Sequence, residues 1–131
     1  MKKIFIALII TISSLMAELT QVWATPQFVE KKMKIIDIRT PAEWKETGIV
    51  EGSYTIMFFD EKGNFNLEIF LRQLDMVVNK DEPFALICRV GSRTGMVSEF
   101  LSERLGYNVT NLKGGIMKMI YEGYRTVPYK E

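Results

Sequence analysis

Pro83-Phe84-Ala85-Leu86-Ile87-Cys88-Arg89-Val90-Gly91-Ser92-Arg93-Thr94 is the stretch that decides the fold. Phe84 to Ile87 are apolar throughout and read as a buried strand entered from Pro83. The chain then passes without a break into Cys88 and a polar loop containing Gly91. In the helix that follows, Met96, Val97, Phe100, Leu101 and Leu105 lie on one stripe, with Ser98, Glu99, Ser102 and Glu103 between them and Gly106 as the stop. A buried strand that feeds a helix through a short loop is the unit from which parallel sheets are built.

The same alternation extends in both directions. Thr25-Pro26 has the chemistry of a helix start, a hydroxyl at the cap and proline in the first turn, and predicts a short helix through Lys32. Ile35, Ile36 and Ile38 read as a strand, after which Thr40-Pro41 repeats the start signal before Glu43-Trp44. Tyr54 to Phe59 reads as another strand, ended by a turn over Asp60 to Asn64 that contains Gly63. Asn66 caps a helix in which Ile69, Phe70, Leu71, Leu74, Val77 and Val78 recur at helical spacing. Downstream, Val109 to Leu112 is a strand, Gly114-Gly115 a turn, and Ile116 to Tyr121 a closing helix. Together these predict an α/β fold, with a mainly parallel central sheet, helices on both faces and right-handed crossovers. Ligands of such sheets bind beyond the carboxyl ends of strands, where both Cys88 and Asp37 fall.

Composition fits one such unit. The 131 residues are 47% apolar and 25% charged, without repeats or a low-complexity run, so one core is expected, over residues 22–129. The net charge of +1 comes from scattered lysines rather than a basic stripe, which argues against nucleic acid as a partner. Residues 1–17 read as an export signal: Lys2 and Lys3 give a positive start, Ile4 to Ile12 an apolar run broken only by Thr11, and Ser13, Ser14 and Ala17 small residues. The run is shorter than the ~20 residues of a membrane span, so cleavage after Ala17 and a periplasmic or otherwise exported chain are expected, without stable membrane insertion. Leu15 is larger than cleavage sites prefer, which leaves an uncleaved anchor as the alternative. Loss of Lys2 and Lys3 would bring the net charge to −1.

Cys88 is the single cysteine and the chain has no histidine. An internal disulfide is excluded, a thiol- or imidazole-based metal site has too few ligands, and no cofactor is implied. A lone thiol in an exported protein invites oxidation, and therefore needs a reason to exist. The segment Cys88 to Thr94 supplies one. A strand-to-helix loop can curl its amides around the sulfur, Gly91 relieves the tight turn, a helix starting near Thr94 aims its positive end there, and Arg89 and Arg93 add full charges. All four should favour a nucleophilic thiolate without a general base. The plain alternative is a buried core thiol at a strand end.

At this loop the sequence resembles the single-domain rhodaneses, whose active loop is a cysteine, five further residues and then a small hydroxyl residue. Here these are Cys88-Arg89-Val90-Gly91-Ser92-Arg93 and Thr94. Asp37-Ile38-Arg39, Glu43-Trp44 and Gly48 to Ser53 resemble the family's first motif, and Leu112-Lys113-Gly114-Gly115-Ile116 the segment after its last strand. The chain departs from the pattern at Gly48-Ile49-Val50, where a Gly-His-Ile is common, in one extra residue after Trp44, and at Met119, where tryptophan is usual. These differences bear on the pocket rim. Asp37 and Arg39 read as paired charges that fix a strand end rather than as catalytic groups.

The resemblance implies sulfur transfer by double displacement. Cys88 would take a sulfane sulfur from a small anionic donor, thiosulfate or polysulfide, hold it as a persulfide against the amides and arginines from Arg89 to Thr94, and pass it to a thiol, cyanide or protein acceptor. Two rival readings stay open. A cysteine phosphatase or arsenate reductase would place five residues between cysteine and arginine, whereas four separate Cys88 from Arg93 and Thr94 stands in the required place. A sulfur-binding or interaction module without turnover would share the fold.

Overall fold

The structure, a computed structural model, describes residues 17–131. The expected signal segment, apart from Ala17, lies outside the described residues, and among these no helix is long and apolar enough to cross a membrane. Ten elements follow in order: β1 (Leu19–Trp23), α1 (Pro26–Val29), β2 (Lys34–Asp37), α2 (Pro41–Thr47), β3 (Tyr54–Thr55), α3 (Leu67–Val77), β4 (Phe84–Ile87), α4 (Ser92–Leu105), β5 (Val109–Lys113) and α5 (Gly115–Tyr121). The five strands form one sheet in the order β1-β5-β4-β2-β3, with every neighbouring pair parallel.

Alternation along the strands sorts the core into two layers. Ile36, Ile38, Phe84, Leu86, Cys88 and Val109 face α3 and α4 through Phe70, Leu74, Val97 and Leu101. Ile35, Ala85, Ile87 and Leu112 face α1 and α5 through Phe28, Ile116 and Met119. A strand buried on both faces has to be apolar at every position, and β4 is so throughout. Because all strands run the same way, Trp23, Asp37, Ile87 and Lys113 end at one edge of the sheet, and the loops that follow them share it.

Local signals explain most boundaries. Thr40 and Glu43 form a reciprocal capping box at the start of α2, and the Asn66 side chain accepts from the Ile69 N–H at the start of α3. Thr25 precedes Pro26 as expected but its hydroxyl makes no capping bond, and α1 stops at Val29, short of Lys32. There the chain tightens into bonds three residues apart, and Lys32 adopts a left-handed φ of 57°. The strand expected over Tyr54 to Phe59 is regular only at Tyr54–Thr55. Beyond it the Ile56 and Phe58 amides still donate to Asp37 and Ile38, after which Phe59 bridges Phe65 across the Asp60–Gly63 turn. The sequence reading has no counterpart of β1, an edge strand with polar Thr20 and Gln21 that pairs along its whole length with β5.

Candidate active site

Cys88 follows the last residue of β4 and is fully buried. Its Sγ accepts the Gly91 N–H at 3.2 Å and lies 3.4 Å from the Thr94 hydroxyl, which in turn is 3.2 Å from the Gly91 carbonyl. Gly91 takes φ 96° as the N-cap of α4, so the helix begins at Ser92, two residues before the expected start near Thr94. This left-handed turn is what returns the Gly91 amide toward the sulfur three residues behind it. The first-turn amides of α4, Ser92 to Thr94, have no acceptor inside the helix and point its positive end to the same place.

The loop is seated from below by the second glycine turn. Ile116 and Met117 at the start of α5 donate to the Cys88 and Arg89 carbonyls at 2.9 and 3.1 Å. Gly115 holds φ 66°, and a Cβ on it would meet the Arg89 carbonyl oxygen and, at 2.6 Å, that of Cys88. A Cβ on Gly91 would lie 2.9 Å from the Gly114 amide nitrogen. The two glycine-bearing turns therefore approach each other backbone to backbone, a packing that side chains would prevent.

Of the predicted site residues, the structure brings Cys88, Gly91 and Thr94 together at the sulfur. Val90 and Ser92 are exposed on the outside of the loop. The arginines differ from the expectation of free charges aimed at the thiolate. Arg93 forks onto Glu43, Nη1 to Oε1 at 2.7 Å and Nη2 to Oε2 at 2.8 Å, while Arg89 reaches Glu46 at 3.3 Å and Glu43 at 3.9 Å. The hydrogen bond from Arg93 holds the Glu43 carboxyl below its ordinary range, against the opposing effect of its burial. The same bond raises Arg93, with the charges of Cys88 and Asp37 adding to it. The sulfur itself is buried among core side chains, the setting that the plain alternative of a core thiol expects. A buried lone thiol is shielded from oxidation.

Sequence reasoning quoted Glu43 for a motif and passed over Glu46. The signal that could have found them is their position on α2, which follows a strand adjacent to β4 and so shares the loop edge. Asp37 and Arg39 are the buried pair expected, 2.9 Å apart. Arg39 also donates to the Thr47 hydroxyl and to the Glu43 and Gly48 carbonyls, which ties α2 to the end of β2. Glu43 is thereby held in front of the cysteine loop.

Residues 20–121 match the rhodanese-like domain family. The chain belongs to that family. A rhodanese-related protein from Thermoplasma volcanium is 28% identical, with a TM-score of 0.63 over 82% of this chain and 97% of its own. A Staphylococcus saprophyticus protein is 25% identical, with a TM-score of 0.59 over 79% and 96%. A Rhodopseudomonas palustris protein of unknown function, described as a possible tyrosine phosphatase, shares the fold at 21% identity and a TM-score of 0.57, over 88% and 86%. No curated protein matches the chain.

Proposed function

We propose that this rhodanese-like protein is an exported sulfurtransferase that carries a sulfane sulfur on Cys88. The observation that carries the reading is the Gly91 N–H donated to the thiol, beside the Thr94 hydroxyl and at the positive end of a 14-residue helix. An amide donor and a helix start stabilise a sulfur anion, and the first-turn amides of α4 would serve a second, outer sulfur. The Cys88 thiolate attacks the outer sulfur of thiosulfate or the terminal region of a polysulfide. The donor's S–S bond breaks, sulfite or the shortened polysulfide leaves with the electron pair, and Cys88 persulfide remains. A nucleophilic acceptor, a thiol, cyanide or a protein thiolate, then attacks the outer sulfur and the Cys88 thiolate departs.

Phosphoryl transfer is disfavoured by the same geometry. Arg93, the one arginine near the far end of the loop, has both terminal nitrogens on Glu43, and Thr94 occupies the place where an oxyanion-binding arginine would stand. A mere binding module would keep the fold without turnover. Export is supported by the Lys-Lys start and the short apolar run in residues 1–17.

One measurement tests both parts. Intact-mass analysis of the protein from the periplasmic fraction should show a chain starting near Glu18. After thiosulfate or polysulfide it should gain one sulfur on the Cys88 peptide, removable by cyanide as thiocyanate, and Cys88→Ser should gain none. Cys88-dependent phosphate release from an aryl phosphate without any sulfur adduct would replace this reading with the phosphatase one. Donor binding with neither adduct nor turnover would leave a binding module.

A further inference from the structure

Trp44 is the one aromatic side chain on α2 and is buried to 4% exposure. Tyr129 packs on its ring with centroids 5.1 Å apart, and among the described residues its Nε1–H has no acceptor. Buried donors in folded proteins are almost always paired, with protein, with water or with a ligand. An indole N–H shut off from water and left without an acceptor is costly.

Trp44 stands in the wall of a cavity of about 490 Å³ formed by α2, the segment after β3 and the start of α3. Phe58, Phe65 and Phe70 give it aromatic walls: Phe65 stacks on Phe58 at 5.2 Å, and Phe70 meets Phe58 edge-on at 4.8 Å. Asn64, Asn66 and Gln73 supply amides, and among the described residues Asp60 is the only ionisable side chain in the lining. Asp60 commits one carboxylate oxygen to the Lys62 and Asn64 amides, and Asn66 its carbonyl to the Ile69 amide. The other Asp60 oxygen and the Asn66 N–H donors take no part in these bonds. The volume suits a small organic molecule, and the lining includes no residue of the cysteine loop.

The geometry points to a second binding site, separate from the sulfur chemistry, for an uncharged planar ring compound whose hydrogen-bond acceptor takes the Trp44 Nε1–H. Aromatic walls select a flat apolar body. The lone carboxylate disfavours anions, which sets this site apart from one for small sulfur anions. An acceptor on the ligand gives the buried indole its partner, and ligand N–H groups match the Asp60 oxygen and the carbonyl of Asn64 or Gln73. An aromatic carboxamide combines the three features: a ring, a carbonyl acceptor and N–H donors. The site stands whether or not Cys88 carries sulfur.

The indole N–H resonances of the isotope-labelled protein test this directly, since the chain has two tryptophans and Trp23→Phe assigns them. Titration with quinoline-3-carboxamide should move the Trp44 indole N–H downfield and saturably. Trp23, which is 55% exposed and lies under the Lys113 ammonium, should stay in place. Quinoline-3-carboxylate has the same shape and a negative charge, and should bind about tenfold more weakly. Asp60→Asn should remove most of that difference, because its side-chain oxygen can still accept the turn amides. Trp44→Phe should weaken the carboxamide about fivefold, the worth of one hydrogen bond. Should that variant fail to fold, Phe65→Ala, at a wall residue that is 58% exposed, should weaken it by a similar factor. A Trp44 N–H that stays in place up to the solubility limit of the carboxamide overturns the inference. So does one that moves equally with the carboxylate, or that responds undiminished in Phe65→Ala.

Discussion

Two arginine–carboxylate pairs stand at the same edge of the sheet and behave as different objects. Asp37 and Arg39 have no exposed side-chain surface, and Arg39 uses its Nε and both terminal nitrogens on Asp37, Thr47 and two carbonyls of the α2 region. Glu43 and Arg93 have comparably short contacts, but their side chains keep 18% and 25% of their exposure. Removing one partner of the first pair strands a charge where water cannot reach it, whereas either partner of the second can turn to solvent. The fixed pair holds α2 in place; the rim pair keeps access to water. Rigidity thus lies in the scaffold, and the adjustable charges lie at the rim of the cysteine loop.

The largest effect should come from breaking the buried pair. Arg39→Met leaves Asp37 uncompensated and takes the donors from the Glu43 and Gly48 carbonyls, and should cost about 3–5 kcal/mol in urea unfolding. Arg39→Lys should recover only part of this, since an ammonium cannot reproduce the fork. Arg93→Met should cost no more than about 1 kcal/mol. Similar losses at Arg39 and Arg93 would show that burial does not distinguish the pairs.

The contrast also marks what the sequence disclosed. The strand and helix around Cys88, the helix start at Thr40-Pro41 and the Asp37–Arg39 pair were legible because each depends on residues close in the chain. The partners of Arg89 and Arg93 were not, since Glu43 and Glu46 come from a helix more than forty residues away that only the parallel order β4-β2 brings alongside. For the same reason β1 escaped notice: Leu19 to Trp23 has little apolar alternation, and becomes a strand because the β5 edge offers it a ladder. The contact of the Gly91 amide with the sulfur depends on a left-handed turn that local composition suggests but does not dictate.

If the rim pairs contribute so little, something else must seat the cysteine loop, and the backbone contact at Gly115 is the feature that can do it. Gly115→Ala would combine a left-handed φ with a Cβ pressed against the Arg89 carbonyl. It should cost about 2 kcal/mol, and should displace the Cys88 and Arg89 carbonyls from the α5 amides. Because the Gly91 donor rides on the same loop, sulfur loading of Cys88 should fall more than stability does. A variant that loses stability but loads sulfur normally would mean that Gly91 and Thr94 hold the sulfur without support from α5.

The smallest effect is the most direct reading of the rim pair. Arg93 holds Glu43 below the ordinary carboxylate pKa of 4.5 in the folded chain, so the folded state binds its proton less readily than the unfolded one. The stability this provides is complete above the unfolded value and is lost as pH falls through the lower, folded one. Glutamine at position 43 cannot titrate. The stability difference between wild type and Glu43→Gln should therefore stay constant from pH 8 to about pH 5, at no more than about 1 kcal/mol for so exposed a pair, and shrink on further acidification. High salt should reduce it at neutral pH, since Arg89 and Arg93 both face Glu43 from a solvent-accessible loop. Urea unfolding of the two proteins in parallel across that range measures it. A difference that widens below pH 5 would mean that the folded chain favours protonated Glu43, and that the rim pair is not the contact that lowers its pKa.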